Sequence, residues 1–178
     1  MINKTRRALL ANIGSAAAVC ALPMPAISSV REPRWLSFYH THTRADLELI
    51  YHDGYRYVPE ALNRINLFLR DFRSRDVHPI DPDLLDMLLA TRTSLGSKRR
   101  FEVISGYRSP ATNESLRNQT NGVAKDSYHT QGRAIDIRLT DVPTGDLHRA
   151  ALALGQGGVG YYPQSDFIHL DTGNVRSW

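Results

Sequence analysis

Val159-Gly160-Tyr161-Tyr162-Pro163-Gln164-Ser165-Asp166-Phe167-Ile168-His169-Leu170-Asp171 is the stretch on which the fold turns. Two runs rich in β-branched and aromatic residues flank the short turn Pro163–Asp166. A turn that short joins antiparallel strands, because a parallel pair needs a crossover of about a dozen residues or more. Upstream, Ala134-Ile135-Asp136-Ile137-Arg138-Leu139 alternates as a strand, and Phe101-Glu102-Val103-Ile104 is a shorter one running into a loop that contains Gly106. Trp35–Tyr39 and Leu47–Tyr51 form a further β-rich pair, read as a hairpin and followed by the turn signal Asp53-Gly54. Between these lie helical patterns. From Pro59 to about Phe72, apolar residues fall at 62, 65, 68, 69 and 72. Pro82–Leu95 has Asp81 as N-cap, Leu84, Leu85, Leu88 and Leu89 on the core side, and Gly96 as terminator. Thr112–Gln119 and Thr144–Leu154 complete the set. Helices precede most of the strands, which predicts an α+β fold: a small antiparallel sheet with flanking helices.

The 178 residues suffice for one domain with a sizeable core. Residues 1–28 differ from the rest. Lys4, Arg6 and Arg7 come first with no acidic residue, then the apolar run Ala8–Leu22, then the small-residue segment Ala26-Ile27-Ser28. That order is the order of an export signal, and the run falls short of the ~20 apolar residues of a membrane span. Thr5-Arg6-Arg7-Ala8-Leu9-Leu10 resembles the twin-arginine export signal. Residues 29–34 read as a linker and 35–178 as the functional domain, destined for the periplasm and meeting a membrane only during export. The formal net charge is +4, and the three positives of the signal leave +1 for residues 29–178. The basic balance therefore gives no case for a nucleic-acid partner. Cys20, the one cysteine, lies within the apolar run, so any metal of the remaining chain must be held by histidine and carboxylate.

Seven histidines are candidate ligands. His78 sits in a connection and His148 on a helix, and both read as surface residues. His40 and His42, two apart on a strand, share a face; a solvated strand end accounts for them as well as a metal grip does. Ser127-Tyr128-His129-Thr130-Gln131-Gly132-Arg133-Ala134-Ile135-Asp136 says more. A carboxylate inside Ala-Ile-Asp-Ile is costly to bury without a partner, and Gly132 lets the chain turn so that His129 doubles back towards it. Phe167-Ile168-His169-Leu170-Asp171 repeats the anomaly. Two such strands side by side would bring two imidazoles and a carboxylate to one point, a donor set that zinc accepts with a position left open for water. The residues alone leave a structural His–Asp pair equally open.

The spacing Ser-x-His-x-x-Gly-x-Ala-x-Asp at Ser127, His129, Gly132, Ala134 and Asp136 is similar to the signature of zinc peptidases related to D-alanyl-D-alanine carboxypeptidases and dipeptidases. Their fold is shared with lysostaphin-type enzymes and the hedgehog amino-terminal domain. Ser105-Gly106-Tyr107-Arg108-Ser109-Pro110 resembles the family's upstream segment, and Gly157–Tyr162 with His169–Gly173 and Trp178 resembles the tail of the MepK-like murein endopeptidases. The resemblance spans roughly residues 35–178. It implies Zn2+ held by His129, Asp136 and His169, with Arg108 facing the reaction. Arg108 would stabilise the developing oxyanion or bind a substrate carboxylate. The family usually places a glutamate three residues before the last histidine ligand; Asp166 stands there, and Asp171, two residues after His169, is the rival general base or else a group orienting that histidine. The implied substrate is peptidoglycan, cut at cross-links between stem peptides. Two alternatives stay open: a carboxypeptidase or dipeptidase on free stem peptides, and a zinc-containing wall-binding module without catalysis.

Overall fold

In the computed structural model residues 31–120 and 123–178 are described, so the expected export signal at residues 1–28 lies outside the described residues. The elements run β1 (Arg34–His40), β2 (Asp46–His52), α1 (Pro59–Phe68), α2 (Pro82–Ser94), β3 (Phe101–Ser105), α3 (Pro110–Gln119), β4 (Ala134–Arg138), α4 (Thr144–Leu154), β5 (Gly158–Tyr162), β6 (Phe167–Asp171) and β7 (Arg176–Ser177). All strands join one sheet in the order β2-β1-β3-β4-β6-β5-β7. The class is α+β as expected, with one difference in pairing. β1–β3 and β5–β7 are parallel, while the other four pairings are antiparallel. The first parallel pair arises because α1 and α2 intervene between β1 and β3 and supply the long crossover that parallel strands require.

Local chemistry accounts for most boundaries. Asp81 caps α2 by accepting from the Asp83 N–H at 3.1 Å, and Pro82 occupies the first turn, where its missing N–H costs nothing. Leu84, Leu85 and Leu88 are fully buried, each contributing about 1.5–3 kcal/mol of transfer free energy, and Leu89 packs at the core's edge. α1 stops at Phe68 and does not reach Phe72. The reason lies beyond it: the Leu69 carbonyl accepts from Tyr107 N–H at 2.8 Å, and the buried Asp71 carboxylate accepts from Arg73 and Ser74, turning the chain away.

Strand alternation separates core from chemistry. Ile135, Ile137, Val159, Ile168 and Leu170 all enter the core, and α4 packs against β5 and β6. Asp136, His169 and Asp171, with the glycines 158 and 160, occupy the intervening positions and point to the other face.

Among the histidines outside this face, one expectation needs correction. His40 is fully buried and not a solvated strand end. Its ring sits edge-on to Phe68 and Phe72 at 5.9 and 5.6 Å, and burial lowers its pKa to about 4, so it is a neutral core residue. His42 stacks on Phe72 at 4.1 Å. His78 and His148 are only partly exposed, stacking on Tyr107 and Tyr161.

Candidate metal centre

Three elements deliver the centre. β4 and β6 pair in a register that sets Asp136 directly opposite His169, so the two side chains rise from the same face as neighbours. His129 arrives from above on the 3-10 turn Tyr128–Gln131, which Ser127 caps by accepting from the His129 N–H. Gly132 ends that turn with φ +68°, and a β-carbon there would lie 2.1 Å from the Pro79 carbonyl oxygen. Only glycine supplies both the left-handed backbone and the close approach.

Each histidine has its tautomer set by a group behind it. His129 Nδ1 lies 2.7 Å from the Gly106 carbonyl, which can only accept, so Nδ1 carries the hydrogen and Nε2 faces inward. His169 Nε2 lies 2.9 Å from Asp171 Oδ2, so Nε2 carries its hydrogen and Nδ1 faces inward. The inward atoms converge with Asp136 Oδ1: His129 Nε2 to His169 Nδ1 is 3.2 Å, His129 Nε2 to Oδ1 is 3.3 Å, and His169 Nδ1 to Oδ1 is 3.0 Å. Two ligands at about 2.0–2.1 Å from a tetrahedral ion stand about 3.3 Å apart, so this triangle is close to one face of a zinc tetrahedron.

The electrostatics favour a cation at the same point. Burial opposes charge on His169, yet hydrogen bonds to Asp136 and Asp171 outweigh it and push its pKa up to about 9. Burial also lowers the pKa of His129 against the pull of Asp136. Asp136 itself lies far below the usual carboxylate range, burial being overridden by the two histidines. A buried carboxylate shared by two imidazoles holds positive charge between them.

The centre opens into a cavity of about 800 Å³ lined by Arg108, Asp126, Tyr128, Tyr162, Phe167 and Trp178, among others. Arg108 approaches Asp136 Oδ2 at 3.8 Å and donates to Asn113 Oδ1 at 3.3 Å, and its Nε is buried with no partner among the described residues. Most of its donors are thus uncommitted beside the centre. The Asp71 carboxylate fixes the loop that carries it, accepting from Ser109 N–H at 2.9 Å and Ser109 Oγ–H at 2.8 Å.

The two expected proton carriers are placed otherwise. Asp166 is exposed, outside the cavity lining, and bonded to Thr144 and to Arg138 Nη1 at 3.3 Å. It precedes β6 at the end of a 3-10 turn, and its left-handed φ of 52° with its bonds to Thr144 and Arg138 holds it away from the centre. Asp171 is fully buried and saturated. It accepts from His169, from both terminal nitrogens of Arg176 at 2.9 and 2.6 Å, and from the Gly173 N–H at 2.9 Å. Its lone pairs are occupied in orienting His169, and none remains for a water. Sequence reasoning passed over Arg176, which holds Asp171, and Asp126, which lines the cavity. Arg176 had a signal in Gly158-Val159-Gly160. Two glycines at strand spacing strip one face of β5, and β7 lays Arg176 opposite Gly158 there.

Comparison with known proteins identifies the family. A family model described as peptidoglycan L,D-endopeptidase MepK matches residues 28–178. The peptidoglycan L,D-endopeptidase MepK of Escherichia coli K12 is 42% identical over 175 residues, covering 97% of this chain and 96% of the relative. "Probable peptidoglycan L,D-endopeptidase MepK" of Haemophilus influenzae is 39% identical over 180 residues, covering 99% and 97%. The crystal structure of the Serratia marcescens L-Ala D-Glu endopeptidase ChiX overlaps 53% of this chain and 68% of its own at 18% identity, with a TM-score of 0.36, too distant a likeness to bear on the site. With a family match over nearly its whole length and relatives this similar, the chain belongs to the MepK family of peptidoglycan L,D-endopeptidases.

Proposed function

We propose that this chain is a zinc-dependent murein endopeptidase that hydrolyses cross-links between stem peptides, at an L,D bond of the kind its relatives' names give. The observation that carries the metal reading is the convergence of His129 Nε2, Asp136 Oδ1 and His169 Nδ1 within 3.0–3.3 Å of one another. When bound, zinc supplies Lewis acidity, which polarises an amide carbonyl and makes water acidic enough to yield a nucleophile near neutral pH. Arg108 offers its free N–H groups to the amide oxygen as negative charge develops there, or to a substrate carboxylate beside it. Asp171 keeps the Nε2 hydrogen on His169 and thereby its Nδ1 lone pair inward. Of the carboxylates, Asp126 and Asp136 line the cavity. Asp126 is the one without ligand duty, and so the candidate to take the water's proton.

Residues 35–178 are the peptidase domain on this reading, and residues 1–28 export it to the periplasm, where its substrate lies. The twin-arginine route rests on Thr5–Leu10 alone. Among the described residues no helix is long and apolar enough to cross a membrane.

The test is digestion of purified sacculi by zinc-loaded protein, with fragments identified by mass spectrometry. Cross-linked dimers should fall to monomers, stop with a chelator and resume with added zinc, and His129→Ala should lose metal and activity together. Release of terminal amino acids only would make the enzyme a carboxypeptidase; intact sacculi that bind the protein would make it a wall-binding module. Normal turnover by a verified zinc-free His129→Ala protein would sink the metal mechanism.

A further inference from the structure

The last strand does more than extend the sheet. β5 and β7 pair in parallel, with Gly158 opposite Arg176 and Val159 opposite Ser177. The same register carries Trp178 beside Gly160, and Gly160 is itself the cross-strand partner of His169. The indole therefore lies over a residue with no side chain, next to the ligand imidazole. A β-carbon at Gly160 would come 2.7–2.9 Å from three atoms of that ring. The ring centroids of Trp178 and His169 are 5.2 Å apart.

Several contacts hold Trp178 in place. Its N–H donates to the Val159 carbonyl at 3.3 Å and its own carbonyl accepts from Tyr161 at 3.0 Å. Its Nε1–H donates to the Tyr162 hydroxyl at 2.9 Å, and Tyr162 in turn stacks on Phe167 at 4.6 Å. The Arg176 guanidinium lies 4.9 Å from its ring while clasping Asp171. Despite these restraints half of its surface stays exposed, and it lines the cavity of the metal centre. An aromatic face fixed in place and left uncovered is a preorganised binding surface. Its single polar atom is already spent on Tyr162, so what it offers a ligand is apolar.

We infer that Trp178, with Tyr162 and Phe167, forms the wall that receives the apolar part of the stem-peptide side chain next to the scissile amide, and so determines specificity. This deepens the endopeptidase reading and rests on it. The experiment is steady-state kinetics of zinc-loaded protein on purified cross-linked muropeptide dimers. Trp178→Ala should raise KM tenfold or more while kcat stays within about threefold and bound zinc is unchanged. Trp178→Phe, which keeps a flat ring, should stay within about threefold of wild-type KM, and Gly160→Ala, which displaces the ring, should follow Trp178→Ala. The chain has two tryptophans; in a Trp35→Phe background the emission of Trp178 should change on titration with the uncross-linked tetrapeptide product. An unaltered KM in Trp178→Ala, loss of zinc together with kcat, or an emission blind to the product would each overturn the inference. If wild-type protein leaves the dimers intact, the endopeptidase reading fails first; if wild type cleaves them and the variants match it, only the role of Trp178 fails.

Discussion

Replacing Asp171 by asparagine separates two roles that one carboxylate can have. Asp171 Oδ2 accepts from His169 Nε2 at 2.9 Å and from Arg176 Nη2 at 2.6 Å, while Oδ1 accepts from Arg176 Nη1 and Gly173 N–H, both at 2.9 Å. An amide has one acceptor oxygen and one donor nitrogen, so in either orientation its NH2 faces groups that also donate. With the NH2 towards His169, the imidazole must shed the Nε2 hydrogen and carry it on Nδ1, the atom aimed at the metal. With the oxygen towards His169, the NH2 meets Arg176 and Gly173. Loss of an orienting partner of this kind typically lowers metal affinity about 10–100-fold, or about 1.4–2.7 kcal/mol. Arg176 is 40% exposed at its side chain and can turn to water, so the full ~3–5 kcal/mol of a broken buried pair does not apply. Competition against a chromogenic chelator should therefore give a zinc Kd raised by that factor, and kcat at saturating zinc should stay within about tenfold of wild type. A general base contributes about 10²–10⁴-fold to rate. An unchanged zinc Kd with kcat reduced by that amount would make Asp171 the proton carrier and refute the reasoning.

Asp166→Asn should leave kcat/KM within about twofold, since the group it removes is exposed and bonded to Arg138 and Thr144, outside the cavity; a loss beyond tenfold would place it in the chemistry after all. Arg108→Ala should keep its zinc by elemental analysis and lose about 10²–10³-fold in kcat, and Arg108→Lys should restore little, because an ammonium lacks the planar fork. His40 gives a pH signature of stability remote from the centre. Its pKa falls from 6.5 to about 4 on folding, burial being the first cause and the neighbouring His42 the second. Below pH 6.5 the unfolded chain takes a proton that the folded chain refuses. Stability should then drop between about pH 6.5 and 4, by up to about 3 kcal/mol, and be independent of this group above that window. Urea midpoints of wild type and His40→Phe at pH 7 and 4.5 measure it: the variant should lose less stability on acidification.

Two of the three inward-facing donors stood out in the sequence by breaking a local rule, and the family resemblance completed the set. Asp136 and His169 sit in apolar strands where burial forbids an unpartnered charge, and Gly132 marks the sharp turn that returns His129 to them. Capping chemistry located α2, and the short Pro163–Asp166 turn paired β5 with β6. What stayed hidden depends on register between distant segments. β7 is two residues long and has no periodicity to detect, so Arg176 and Trp178 gain meaning only when set against Gly158 and Gly160. The burial of His40 follows from α1 stopping at Phe68 and the chain folding Phe72 back over it, a contact no local pattern encodes. Asp166 is a different case. It stands just before β6 in a left-handed conformation and is held by Arg138 and Thr144, contacts that the spacing to His169 does not encode.

The charges of the buried site suit a metal and the negative charge that develops in amide hydrolysis. Asp171 is neutralised by Arg176 at 2.6 Å and can hold His169 without adding net charge to the centre. Asp136 is faced by Arg108, though at 3.8 Å and without a close hydrogen bond. Two carboxylates and two guanidiniums thus cancel, and the inward donors of His129 and His169 are neutral when they ligate. With the cavity carboxylate Asp126 counted as well, a divalent cation entering this set would leave the site with a formal surplus of one positive charge. The low dielectric of a mostly buried site strengthens that surplus, and it faces the carbonyl oxygen on which negative charge develops. The weaker of the two ion pairs is the one at the reaction centre: Arg108 is kept near Asp136 but not consumed by it, and its remaining donors stay available to substrate.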